Sequence, residues 1–218
     1  MRADGTGDAV DLATAIELSR DGDLIELDEG EHRFDACVEL DWELVVAGAG
    51  RELTRVLGEV PEDWWVVLEE GRLWLKDLRL ERVAGRDEIA AVDVLGCRAG
   101  LVRLERVALS GAVEIDDNGG AGLRVEGGEA VLRDVEVADC SFAGVVVQQG
   151  GRASYDGGSV RDCGLGCVVD EGASGFFERI RFDRIEQHAV VLLGKGSVEA
   201  CGFGEIGGEE GVGLALEG

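Results

Sequence analysis

In residues 114–120, EIDDNGG, the side chains of Asp116, Asp117 and Asn118 follow one another directly. Clustered oxygen ligands of this kind suit a hard cation such as Ca2+. The same residue types are also what an exposed turn prefers, so a solvated turn competes with a metal site on equal chemistry. Arg86 and Asp87 in AGRDEIA, Arg124, and His188 in EQH fall in or beside other turns and could face a ligand. His188 is a candidate general acid or base, although no partner stands at a diagnostic spacing. Cys163 and Cys167 in CGLGC raise metal or redox chemistry, yet zinc needs four ligands and a buried cysteine behaves as a small hydrophobe. Trp64 and Trp65 could stack on a sugar ring, and His32 is expected to pack or to face solvent.

Composition narrows the partners. The chain has 218 residues, 46 acidic against 21 basic, for a formal net charge of −25. Such a surface repels nucleic acid and anionic membrane, so neither is expected as a partner; an acidic mimic of DNA remains a minor alternative. Lys76 and Lys195 are the two lysines, and every other cation is an arginine. The first twenty residues lack the apolar core of a signal peptide, no run approaches the roughly 18 apolar residues of a membrane helix, and six cysteines are present. A cytoplasmic location with reduced thiols is therefore expected, with Cys140 directly over Cys163.

What must position these residues is a repeat. GEAVLRDVEVADCSFAGVVVQQG is followed by GRASYDGGSVRDCGLGCVVDEG, and the pieces 128–150, 151–172, 173–194 and 195–218 measure 23, 22, 22 and 24 residues. Laid under one another they give apolar columns: Val137, Val160, Phe182, Phe203; Cys140, Cys163, Ile185, Ile206; Val145, Cys167, Val190, Val212; and Val147, Val169, Leu192, Leu214. Within each repeat apolar residues alternate with polar or small ones, the period of a strand with one buried face. Upstream, Leu75, Leu78, Leu80, Val92 and Val94 align with Leu104, Val107, Leu109, Leu123 and Val125. The spacing between coils requires an extra-long turn in residues 112–121.

These patterns predict one all-β domain over residues 1–218, a single-stranded right-handed parallel β-helix of eight or nine coils of about 22 residues. An amphipathic capping helix is expected over residues 8–22, with Asp8 as its N-cap and Gly22 as its stop. The columns also predict outward residues. Asp93, Arg124, Val146, Val168, Val191 and Gly213 should follow one another, the first two as a surface ion pair and the valines Val146, Val168 and Val191 as an exposed apolar stripe. Strand propensity alone would also place valines there.

DLATAIELSRDGDLIELDEGEHRF followed by LVVAGAGRELTRVL resembles the start of right-handed parallel β-helix proteins of the pectin-lyase-like superfamily. Glu31-His32-Arg33-Phe34 stands at the family's turn and Gly48-Ala49-Gly50 at its Gly-x-Gly coil. The resemblance implies the fold, which enzymes and non-enzymes share. Its lyases combine Ca2+-binding carboxylates with an arginine or lysine base, a role that would fall on Arg86 or Arg124 here. The Asp motifs and Gly-His-Gly of its hydrolases are missing. The reading adopted is a non-catalytic binding or scaffold protein whose outer faces contact protein or glycan, with partner binding or self-association through the C-terminal half. A Ca2+-assisted polysaccharide lyase or related carbohydrate-active enzyme is the alternative.

Overall fold

The computed structural model describes residue 9 and residues 11–34, 38–58, 64–83, 93–115, 118–207 and 212–216. The first described element is a helix, Leu12–Leu18, shorter than the sequence predicts. Its N-cap is Asp11 rather than Asp8: Asp11 is extended, at φ −152° and ψ 169°, and its carboxylate accepts the Thr14 N–H at 2.7 Å. Ser19 ends the helix by turning extended and bonding back to the Ile16 carbonyl. Leu12 and Ile16 face the first coil and belong to the main core.

The strands then wind into three parallel faces, each eight rungs deep among the described residues. The first face begins with Asp23–Glu26, Glu43–Ala47, Arg72–Lys76 and Leu101–Glu105. It continues in the opening segments of three long strands, Glu129–Gln148, Arg152–Val169 and Ser174–Ile185, and ends at Lys195–Glu199. The second face runs from Gly30–Arg33 through Thr54–Gly58, Arg79–Arg82 and Ala108–Ser110 to Gly202–Phe203. The third runs from Val38–Leu40 through Trp64–Leu68, Asp93–Cys97 and Ala121–Glu126 to His188–Leu192 and Val212–Leu216. The chain is thus a parallel β-helix, in which every coil donates one rung to each face.

Like stacks on like because neighbouring coils repeat one inward pattern. Val137, Val160, Phe182 and Phe203 pair in register, as do Cys140, Cys163 and Ile185, with Ile206 bridged to Ile185. On the first face one inward column grows along the axis, from Val46, Leu75, Leu104 and Leu132 to Tyr155 and Phe177. Its neighbour shrinks in step, from Leu44, Leu73 and Val102 through Ala130 and Ala153 to Gly175. A Cβ on Gly175 would press on Val169 and come within 2.8 Å of the Phe177 ring, so the glycine exists to admit the ring. Tyr155 is fully buried and its hydroxyl donates to the Val135 carbonyl at 2.7 Å, which removes the cost of an unpaired polar group.

Two corners are built from residues that are rarely left-handed. Asp77, Arg106, Asp134, Arg179 and Ala200 stack between the first and second faces with φ between 50° and 56°, and Asp139, Asp162 and Arg184 do so between the second and third. Aspartate tolerates this region better than most residues; arginine does not. The arginines are held by forked ion pairs to the coil below. Arg106 meets Asp77 at 2.6 and 2.9 Å, and Arg184 meets Asp162 at 2.5 and 2.7 Å. Lysine could not make these two-pronged contacts.

The third face corrects the sequence alignment at two places. Leu123 pairs with Leu95 and Val125 with Cys97, rather than with Val92 and Val94. Leu214 pairs with Val190, so Ala215 and not Gly213 continues the outward column, and Gly96 rather than Asp93 lies beside Arg124. All five residues of Asp93–Cys97 are buried, which erases the alternation that would have marked the register.

Candidate functional site

The long turn is an antiparallel hairpin. Glu114–Ile115 pairs with Asn118–Gly119, and Asp116 and Asp117 lie outside the described residues. The Asn118 side chain, Arg86, Asp87 and the Trp64 and Trp65 side chains lie outside them too. The hairpin's base is fixed by neighbouring coils: the Glu114 N–H donates to Ser141 Oγ at 2.6 Å and the Phe142 N–H to the Gly120 carbonyl at 3.1 Å.

Arg124 stands at this base, and it is not a free cation. Its Nε donates to Asp93 Oδ2 at 2.5 Å and its Nη2 to Asp93 Oδ1 at 3.3 Å. Asp93 also accepts the Ala121 N–H at 2.6 Å. The pair was expected on the surface, but the Asp93 side chain is only 2% exposed and that of Arg124 13%. Burial pushes the Asp93 carboxyl above its usual range, against the opposing pull of Arg124. A guanidinium engaged in this way is the partner of a buried carboxylate and serves the packing of the coils.

The valine stripe is also changed. Val146, Val168 and Val191 do follow Arg124 in register. Val146, however, is 3% exposed, in a small second cluster with Ala121, Ala143, Phe142, Leu165 and Val168. The Phe142 and Leu165 side chains, delivered to the outer surface by the adjoining corner, cover what the alternation left open. Val168 and Val191 remain half-buried. His188 is not a turn residue: it opens the strand His188–Leu192, half-buried and opposite Val212. His32 is buried, its Nε2 3.0 Å from the Asp28 carbonyl. Cys163 and Cys167 lie in the core, on the second-to-third corner and the third face, as the packing alternative requires.

One concave feature escaped the sequence. Where the third face turns into the first, the corners of three successive coils enclose a groove of about 760 Å³ lined by Gly150, Arg152, Glu171, Gly172, Ser174 and Lys195, among others. Arg152, Ser174 and Lys195 form one outward column, in register from coil to coil. The groove is hollow because its corners have no side chains: a Cβ at Gly150 or Gly172, both with φ near +80°, would meet nothing within 4 Å. The signal for it lies in the GGR, GAS and LGK corners, since each column residue follows its corner directly, but the cations only meet after the coils stack.

Cys140 lies over Cys163, both buried and free. The Cys140–Cys163 contact raises Cys140 and holds Cys163 below the usual thiol value, because one sulfur donates a hydrogen bond that favours a thiolate on the other. Among the described residues no helix is long and apolar enough to cross a membrane, and no cluster of three or more His, Cys, Asp or Glu could hold a metal.

The family profile described as "Right handed beta helix region" matches residues 110–211, a little under half of the chain. No curated protein matches in sequence. Among solved structures, the chain is similar to the A-module of the mannuronan C-5 epimerase AlgE6 of Azotobacter vinelandii, at 15% identity and a TM-score of 0.47, over 89% of this chain and 67% of that one. It is also similar to the A-module of the epimerase AlgE4 of the same organism, at 13% identity and a TM-score of 0.37, over 90% and 89% of the two chains.

Proposed function

We propose that this right-handed parallel β-helix is a non-catalytic scaffold that associates with a second copy of itself through its C-terminal half. One observation carries the reading. The inward columns continue into the last described coil and are exposed there among the described residues, with Phe203 45% and Leu214 40% exposed although their counterparts Phe182 and Val190 are buried. Phe203 is stacked on Phe182, ring centroids 5.7 Å apart, and is still 45% exposed. Lys195–Glu199, Gly202–Phe203 and Val212–Leu216 each pair with one strand only among the described residues. At the opposite end the helix Leu12–Leu18 covers the first coil.

A self-complementary, two-fold contact suits such a surface, since uncovered core side chains of one copy bury those of the other. Exposed strand edges are otherwise a liability. The net charge of −25 opposes the contact, so salt strengthens it. Sedimentation of the purified chain across a salt series is the test. The expected result is a dimer that tightens with salt and becomes a monomer on Leu214→Glu or Phe203→Glu, with Val168→Glu weakening it and none altering the circular dichroism. A wild type that stays monomeric at high salt and high concentration overturns the proposal. Added Ca2+ in the same series should leave Tm unchanged; a rise abolished by Asp116→Ala with Asp117→Ala would favour the Ca2+-dependent enzyme instead.

A further inference from the structure

We propose that the corner groove of residues 150–152, 171–174 and 193–195 binds a small polyanion, a molecule carrying two or more carboxylate or phosphate groups. Its volume of about 760 Å³ lies in the range of small-molecule sites, roughly 300–1,000 Å³. Arg152 and Lys195 are exposed and make no ion pair among the described residues. Arg55, Arg98, Arg106, Arg124, Arg179 and Arg184 are by contrast each held by a carboxylate on a neighbouring coil.

The spacing sets the ligand. Arg152 and Lys195 stand two rungs apart in one column, about 10 Å between backbones, with Ser174 on the rung between them. Each long side chain can take one anionic group, and the Ser174 hydroxyl can donate to the atoms that join them. Arg152 offers a planar fork that fits carboxylate or phosphate, while Lys195 acts as a point charge. Glu171, which also lines the groove, leaves one net positive charge there, and this local attraction must overcome the repulsion that a protein at −25 exerts on an anion. Bare corners at Gly150 and Gly172 let the ligand approach the backbone. Lys195 opens the edge strand Lys195–Glu199 of the last coil, so the groove borders the self-association surface, but Phe203, Leu214 and Val168 are not part of its lining and binding there does not depend on association.

Isothermal titration of the intact chain with pyrophosphate, and separately with citrate, tests it. Saturable binding of either probe is expected; pyrophosphate alone identifies a phosphate ligand, citrate alone a carboxylate one. Arg152→Ala and Lys195→Ala should each weaken binding by about tenfold or more. Arg181→Ala, which removes an exposed arginine from the second face, should leave it unchanged. The absence of saturable binding for both probes overturns the proposal, and so does a loss in Arg181→Ala equal to that in Arg152→Ala, which would mean diffuse charge attraction only.

Discussion

Replacing Arg124 with methionine keeps the aliphatic stem and removes the guanidinium from a carboxylate that is 2% exposed. Asp93 is then left with one partner, the Ala121 N–H at 2.6 Å, in place of the fork at 2.5 and 3.3 Å. Breaking a buried pair from one side costs about 3–5 kcal/mol, against about 0–1 kcal/mol for an exposed pair. For a chain of this size that is a fall in Tm of roughly 10 °C. The sign of the pH dependence follows from Asp93. Its folded carboxyl is already raised above the unfolded value by burial, and losing Arg124 raises it further. The charged form is what the fold disfavours, so the Arg124→Met penalty is greatest at neutral pH and relaxes as pH falls through the raised value and Asp93 takes up a proton. Adding Asp93→Asn removes the charge but keeps an oxygen for the Ala121 N–H, and should restore stability to within about 1 kcal/mol of the wild type. Urea midpoints of the wild type, Arg124→Met and the double variant at neutral and mildly acidic pH measure all three. A cost for Arg124→Met below about 1 kcal/mol would refute the structural role and return Arg124 to the candidates for chemistry.

The corner ladders respond to acid in the opposite sense. Arg106 holds Asp77, and Arg184 holds Asp162, below the usual carboxylate range, so their contribution is complete above the unfolded value near ~3.9 and is lost as pH falls through the depressed folded values. Both pairs are largely exposed, so Arg106→Gln with Arg184→Gln should cost about 1 kcal/mol in total at neutral pH and nothing in strong acid, as read from urea midpoints against pH. For the cysteines, thiol titration without reductant should find six in denaturant. In the folded protein Cys201 should react first among the described thiols, because Cys97, Cys140, Cys163 and Cys167 are buried and burial pushes Cys97 up to about 11. Four or fewer thiols in denaturant would contradict the reduced state.

The inward architecture is legible in the sequence because it is dictated locally. A strand alternates its faces every residue, and a coil that stacks on the next must repeat its inward residues, so Leu104 over Leu75 and Val160 over Val137 can be read from spacing alone. The same logic fails where alternation is broken: with every residue of Asp93–Cys97 buried, no pattern distinguishes Leu95 from Val92 as the partner of Leu123. Asp93 itself reads as a surface acid. Only the tertiary structure brings it Arg124 and the Ala121 N–H, from 31 and 28 residues away. Val146 likewise reads as exposed until Phe142 and Leu165 fold over it. The groove needs three corners, some twenty residues apart along the chain, to meet before Arg152 and Lys195 share one space. What faces the core is fixed by the backbone's own period and the stacking it demands. What faces outward is decided by the lengths of the turns and by the side chains that neighbouring coils happen to place alongside.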